Sequence, residues 1–103
     1  PPRRAPKGDL LLLDDDPGVA AVIADASRRL GYRVVVVHTA QEALDLIAKR
    51  AFVALVADVQ LPGMSGRELL DQLRHRHPEL AARTLLMSGL FYAAKRKIWS
   101  DVH

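Results

Sequence analysis

Four unbroken apolar stretches, each closing on a polar side chain, constrain this chain more than any other feature. Leu10–Leu13 runs into Asp14, Asp15 and Asp16, and Arg33–His38 encloses four consecutive valines. Ala51–Ala57 runs into Asp58, and Thr84–Met87 runs into Ser88. None alternates polar with apolar, so none suits a strand with one wet face. Such runs fit strands covered on both sides, as in a parallel sheet wrapped by helices.

Helical patterns lie between the runs. Val19, Val22, Ile23, Ala26 and Leu30 recur at helical spacing, on a helix that Pro17 can open and Gly31 can end. Thr39 with Glu42, and Ser65 with Glu68, fit capping boxes at the heads of the patterns Ala43, Leu44, Ile47 and Leu69, Leu70, Leu73. Pro78 closes the last of these, and helix-favouring residues return at Ala93–Lys97. Strands and helices therefore alternate. Right-handed crossovers then predict an α/β fold with a doubly wound parallel sheet.

The chain has 103 residues, half of them hydrophobic, which suits one domain. It has no cysteine, which excludes a disulfide framework, a thiolate metal site and a cysteine nucleophile, and fits a cytoplasmic setting. No apolar run approaches the length of a membrane span, and the Pro-rich basic start lacks the apolar stretch of a signal peptide. Residues 1–8 read as a linker or disordered basic terminus, with order expected from Asp9. The formal charge of +3 sits at the ends: residues 10–90 hold nine of the 15 basic and ten of the 12 acidic residues. A nucleic-acid-binding face across the body of the domain is therefore not expected.

In a doubly wound sheet, ligands bind beyond the carboxyl ends of the strands. Asp14, Asp15, Asp16, Asp58 and Ser88 all stand there in this reading, and they meet if the first, third and fourth strands are neighbours. Gathered carboxylates repel one another and call for a cation or a shared proton. Oxygen ligands alone favour a hard ion, Mg²⁺ before Ca²⁺. Asp16, just before Pro17, also has the place of a helix cap. His75 and His77 are two apart near a helix end and read as solvated cations rather than a metal pair. His38, closing the valine run, reads as a surface or hinge residue.

The stretch Leu10-Leu-Leu-Leu-Asp14-Asp15-Asp16-Pro17 resembles the first strand and acidic pair of response-regulator receiver domains. Asp58-Val-Gln-Leu-Pro62-Gly63-Met64-Ser65-Gly66 resembles their phosphoacceptor strand end and following loop. Leu85-Leu-Met-Ser88-Gly89 resembles their switch-hydroxyl strand, in the form often seen in receivers attached to histidine kinases. The resemblance implies a flavodoxin-like receiver fold of strand order 2-1-3-4, with the family's fifth strand and last helix absent, over residues 9–103. It implies that Asp58 takes a phosphoryl group from a phosphohistidine. Asp14, Asp15, Asp58 and the main-chain carbonyl of Gln60 would hold Mg²⁺, and Ser88 would turn its hydroxyl to the phosphoryl group. Pro62 and Gly63 would shape the loop, and Gly66 would let backbones approach.

The family's lysine at the end of a fifth strand has no counterpart among Lys95, Arg96 and Lys97, and Phe91–His103 does not match the family. The implied partners are a sensor histidine kinase or phosphotransfer protein and an output domain or partner protein. A second copy could also pair along the uncovered fourth strand. The reading is of a phosphoacceptor signalling domain, not a turnover enzyme. Two alternatives stand beside it. One is a receiver-like interaction module that is not phosphorylated. The other is a haloacid-dehalogenase-like phosphatase fragment, whose Asp-x-Asp strand end Asp14 and Asp16 resemble. No Ser-His-Asp triad or phosphate-cradling glycine loop is visible.

Overall fold

The computed structural model describes residues 7–87. Four strands, β1 (Asp9–Leu13), β2 (Arg33–Val37), β3 (Ala54–Asp58) and β4 (Thr84–Met87), form one parallel sheet in the order β2-β1-β3-β4. Helices α1 (Pro17–Arg29), α2 (Ala40–Lys49) and α3 (Gly66–Arg76) make the crossovers, and a short α4 (Pro78–Ala81) follows α3. This is the doubly wound α/β arrangement expected from the sequence, and its strand order is 2-1-3-4. The expectations placed on Ser88, on residues 91–103 and on a fifth strand lie outside the described residues.

The central runs, in β1 and β3, are buried on both faces because each face carries helices. The valines of β2 are mostly half-buried and β4 leaves Leu85 exposed, as the outer strands have a neighbour on one side only among the described residues. Leu11 and Leu13 of β1 and Leu55 and Ala57 of β3 pack with Ala43, Ile47, Leu69, Leu73 and Leu80 of α2, α3 and α4. Leu10, Leu12 and Val56 pack with Ala20 and Ala24 of α1 on the other face. Leu11, Leu12, Leu13 and Leu55 are each 0% exposed. Full burial of such a side chain is worth about 1.5–3 kcal/mol, so the two central strands anchor the domain.

Three local readings are corrected. The buried face of α1 is Ala20, Ala24 and Ser27, with Ile23 half-buried, rather than the stripe through Val19, Val22, Ala26 and Leu30. Val22 and Leu30 are exposed. Alanines let the α1 backbone come close to Leu10 and Leu12, and Ser27 satisfies its hydroxyl by donating to the Ile23 carbonyl at 2.8 Å. The third strand begins at Ala54 rather than Ala51, and Phe52 turns into the core instead. Pro78 does more than close α3: that helix ends at Arg76, and Pro78 occupies the first turn of α4, where its missing N–H is no loss.

The helix starts follow the sequence signals. The Thr39 and Ser65 side chains accept from the N–H groups of Glu42 and Glu68, both at 3.1 Å, and Asp16 Oδ1 accepts from Gly18 and Val19. At the amino end of the sheet the Lys7 N–H donates to the Gly31 carbonyl, and the Arg33 N–H donates to that of Gly8. There Asp9 forms ion pairs with Arg33, at 2.6 Å, and with Arg50. The Arg50 guanidinium also lies over the Phe52 ring.

Candidate functional site

Parallel strands place all their carboxyl ends on one edge, so residues that terminate β1 and β3 must meet if the strands are neighbours and in step. They are: Leu13 pairs with Ala57, which sets Asp14 beside Asp58. Carboxylate oxygens of Asp14, Asp15 and Asp58 all lie within 4.8 Å of one another. Asp14 is 1% and Asp58 8% exposed, whereas Asp15 is open to solvent.

Each member is held differently. The Asp14 N–H donates to the Val37 carbonyl at 3.1 Å, and its Oδ1 accepts from the Asp16 N–H at 2.8 Å. Asp58 Oδ1 accepts from the Gln60 N–H at 2.9 Å, a local turn that aims the carboxylate back over the strand end. The Val59 N–H donates to the Met87 carbonyl at 2.9 Å, which ties the start of the loop to β4. Asp15 and Asp58 take part in no ion pair among the described residues.

The loop from Val59 to Ser65 returns to Asp58 through Gly66. Its N–H donates to the Val59 carbonyl at 2.8 Å, and a β-carbon on Gly66 would sit 2.4 Å from the Asp58 carbonyl oxygen. Only glycine fits where the start of α3 touches the backbone of β3, as expected from the sequence. Gly63, in the middle of the loop, has φ +82°, a region costly for other residues.

Asp16 is not part of the cluster's carboxylate set. Its side chain caps α1, which removes the support for the dehalogenase-like reading, since that reading needs the second aspartate of Asp-x-Asp as an acid in the site. His75 is exposed near the end of α3, with Nδ1 2.8 Å from the Asp71 carbonyl, and His77 joins α3 to α4. Neither joins a metal-ligating group among the described residues. His38 is more than a surface residue: its Nδ1 lies 2.9 Å from the Asp14 carbonyl oxygen. The sequence held a signal for this contact, because leucine and valine runs of equal length put Asp14 and His38 at matching ends of paired strands.

Among the described residues the donor set consists of three carboxylates, two of them buried, with no nitrogen or sulfur ligand. It fits a hard divalent cation that keeps part of its water shell. A cleft of about 330 Å³ lies elsewhere, near the amino ends of β3 and β4, among Arg50, Phe52, Arg76, Leu80 and Arg83. Lys49, Arg50 and Arg76 stand at the carboxyl ends of α2 and α3, where cations offset the helix dipoles. No described helix is long and apolar enough to cross a membrane.

Comparison with known proteins agrees with this geometry. The family described as the response regulator receiver domain matches residues 10–90. The response regulator protein FleR of Pseudomonas aeruginosa is 37% identical over 80 residues, covering 78% of this chain and 16% of that protein. The chain thus spans a small part of that relative's length. A sensor protein from Polaromonas sp. JS666 has a similar structure, with 30% identity and a TM-score of 0.74 over 81% of this chain and 66% of that one. The receiver domain of DrrB, solved in a BeF3-activated form, is 27% identical with a TM-score of 0.68, over 79% of this chain and 65% of that one. With its strand order, its acidic strand ends and a family match over most of its length, the chain belongs to the response regulator receiver domains of two-component systems.

Proposed function

We propose that this domain accepts a phosphoryl group on Asp58 and switches its partner contacts in response. The observation that carries the reading is the convergence of Asp14, Asp15 and Asp58 at the carboxyl ends of β1 and β3. Asp58 is nearly buried, with one oxygen committed to the Gln60 N–H. Its other oxygen is the nucleophile. It forms a bond to phosphorus as the bond from phosphorus to the donor histidine nitrogen breaks, and the imidazole leaves with the electron pair and takes up a proton. The product is an aspartyl phosphate and a neutral histidine.

Asp14, Asp15, Asp58 and the Gln60 carbonyl would hold Mg²⁺, which supplies charge neutralisation to a phosphoryl group in transit. Asp14, buried and fixed by the Asp16 N–H, sets a carboxyl group at the base of the site. The seam at Gly66 holds the Asp58 backbone in place during transfer. Ser88, one residue beyond β4, would turn its hydroxyl to the phosphoryl oxygens. The phosphoryl group ends on the chain itself, so the domain acts as a switch rather than a turnover enzyme. Its donor is a phosphohistidine of a kinase or phosphotransfer protein, a cytoplasmic encounter. Its response is read by an output domain or partner protein.

Incubation with acetyl phosphate and Mg²⁺, followed by intact-mass measurement, tests the reading. One added phosphoryl group is expected, and none in Asp58→Ala. Unchanged labelling of the variant overturns the assignment of Asp58. A wild-type protein that takes no label from acetyl phosphate or from a phosphorylated kinase favours the interaction module.

A further inference from the structure

We infer that His38 is a positioning residue for the carboxylate cluster, acting through the main chain of Asp14; the inference rests on the cation-binding reading above. β1 and β2 pair from Asp9 with Arg33 to Leu13 with Val37, and one further rung follows, from the Asp14 N–H to the Val37 carbonyl. Beyond that rung the two chains part to start α1 at Pro17 and α2 at Ala40. The His38 ring spans the gap, with Nδ1 2.9 Å from the Asp14 carbonyl oxygen. A carbonyl only accepts, so Nδ1 carries the proton.

The peptide group held in this way joins Asp14 to Asp15. Asp14 has a second restraint in the Asp16 N–H on its own carboxylate. Asp15 is exposed, and its side chain makes no hydrogen bond or ion pair among the described residues. The direction of its carboxylate therefore depends on the plane of that peptide. The imidazole fixes the plane and so keeps Asp15 within reach of Asp14 and Asp58. Because the ring is itself exposed, its removal opens no cavity in the core.

Mg²⁺ titration of the full chain, with no phosphodonor present, tests this in the wild type, His38→Ala, His38→Asn and Thr39→Ala. His38→Ala should bind Mg²⁺ about 3- to 10-fold more weakly, below the 10- to 100-fold typical when a group bonded directly to a ligand side chain is lost. Its melting temperature without metal should stay within about 2 °C of the wild type, as for other exposed positions. His38→Asn, whose amide nitrogen can donate from nearly the same point, should restore most of the affinity. Thr39→Ala, which removes the α2 cap next door, should lower the melting temperature and leave Mg²⁺ affinity within about twofold. In the wild type, ring ¹⁵N shifts above the histidine titration should place the proton on Nδ1 rather than on Nε2. Equal affinity in wild type and His38→Ala overturns the inference and leaves the cation site standing, and failure of His38→Asn to restore binding overturns the hydrogen bond as the cause. A wild type that binds no Mg²⁺ removes the cation reading and this inference with it.

Discussion

Asp9 and Asp14 flank the same four leucines, and the two ends of β1 treat their carboxylates in opposite ways. At the amino end Asp9 meets two guanidinium groups, from Arg33 and Arg50, which hold its carboxyl below the ordinary value of 3.8. Its charge is answered inside the fold. At the carboxyl end three carboxylates crowd within 4.8 Å, and Asp15 and Asp58 have no ion pair among the described residues. Burial alone does not separate the two cases, because Asp9 and Asp58 are both largely covered. What separates them is the company each carboxylate keeps among the described residues: guanidinium groups for Asp9, other carboxylates for Asp58.

The comparison breaks most visibly at Asp58. Asp58→Asn should abolish phosphoryl labelling completely, while Asp9→Asn leaves labelling at the wild-type level under the same conditions. Gly66→Ala should follow in size. Its new β-carbon meets the Asp58 carbonyl oxygen at 2.4 Å and the Val59 Cα at 2.9 Å, contacts with backbone that cannot swing aside. A loss of about 1–3 kcal/mol in urea unfolding is expected, together with weaker Mg²⁺ binding.

The sign of the electrostatic effect sharpens the contrast further. Without metal, Asp58→Asn should raise stability, since it removes one of three carboxylates whose oxygens lie within 4.8 Å of one another, a repulsion of about 1 kcal/mol even at the dielectric constant of water. Asp9→Asn should lower it at neutral pH. The smallest effect is the pH dependence of that loss. A carboxyl held below 3.8 contributes its stability above that pH and loses it as pH falls through its lower folded value. The melting temperatures of wild type and Asp9→Asn should therefore converge below pH 3.8 and stay apart above it.

Much of this arrangement was legible from residue order alone. The four apolar runs, the Thr39 and Ser65 caps and the acidic strand ends each have a local chemical cause, and local causes survive in sequence. The α1 face was not legible. Periodicity weights the largest side chains, and it chose Val22 and Leu30, whereas close approach to Leu10 and Leu12 selects the smallest, Ala20 and Ala24. The start of β3 was obscured in the same way, because Ala51, Phe52 and Val53 are as apolar as the strand they precede. The Asp9 clamp joins residues 24 and 41 positions apart and is revealed only by the fold. The His38 contact, also across 24 positions, was marked by the equal leucine and valine runs but needed the pairing of β1 with β2 to be recognised.

The pairing of β1 with β2 has one more consequence. Four leucines lie against four valines, and a run of identical side chains carries no mark of where it should begin. Slid along by one residue, leucine would still face valine, and the greasy middle of the ladder would scarcely register the error. The ends would. Arg33 would lose Asp9, His38 would lose the Asp14 carbonyl, and a carboxylate would be drawn toward the core, a displacement worth several kcal/mol. The charged residues thus act as the ruler marks of an otherwise blank scale. The alignment they keep sets His38 level with the Asp14 carbonyl, so a second strand that docked out of step would complete the sheet and leave the peptide between Asp14 and Asp15 unheld.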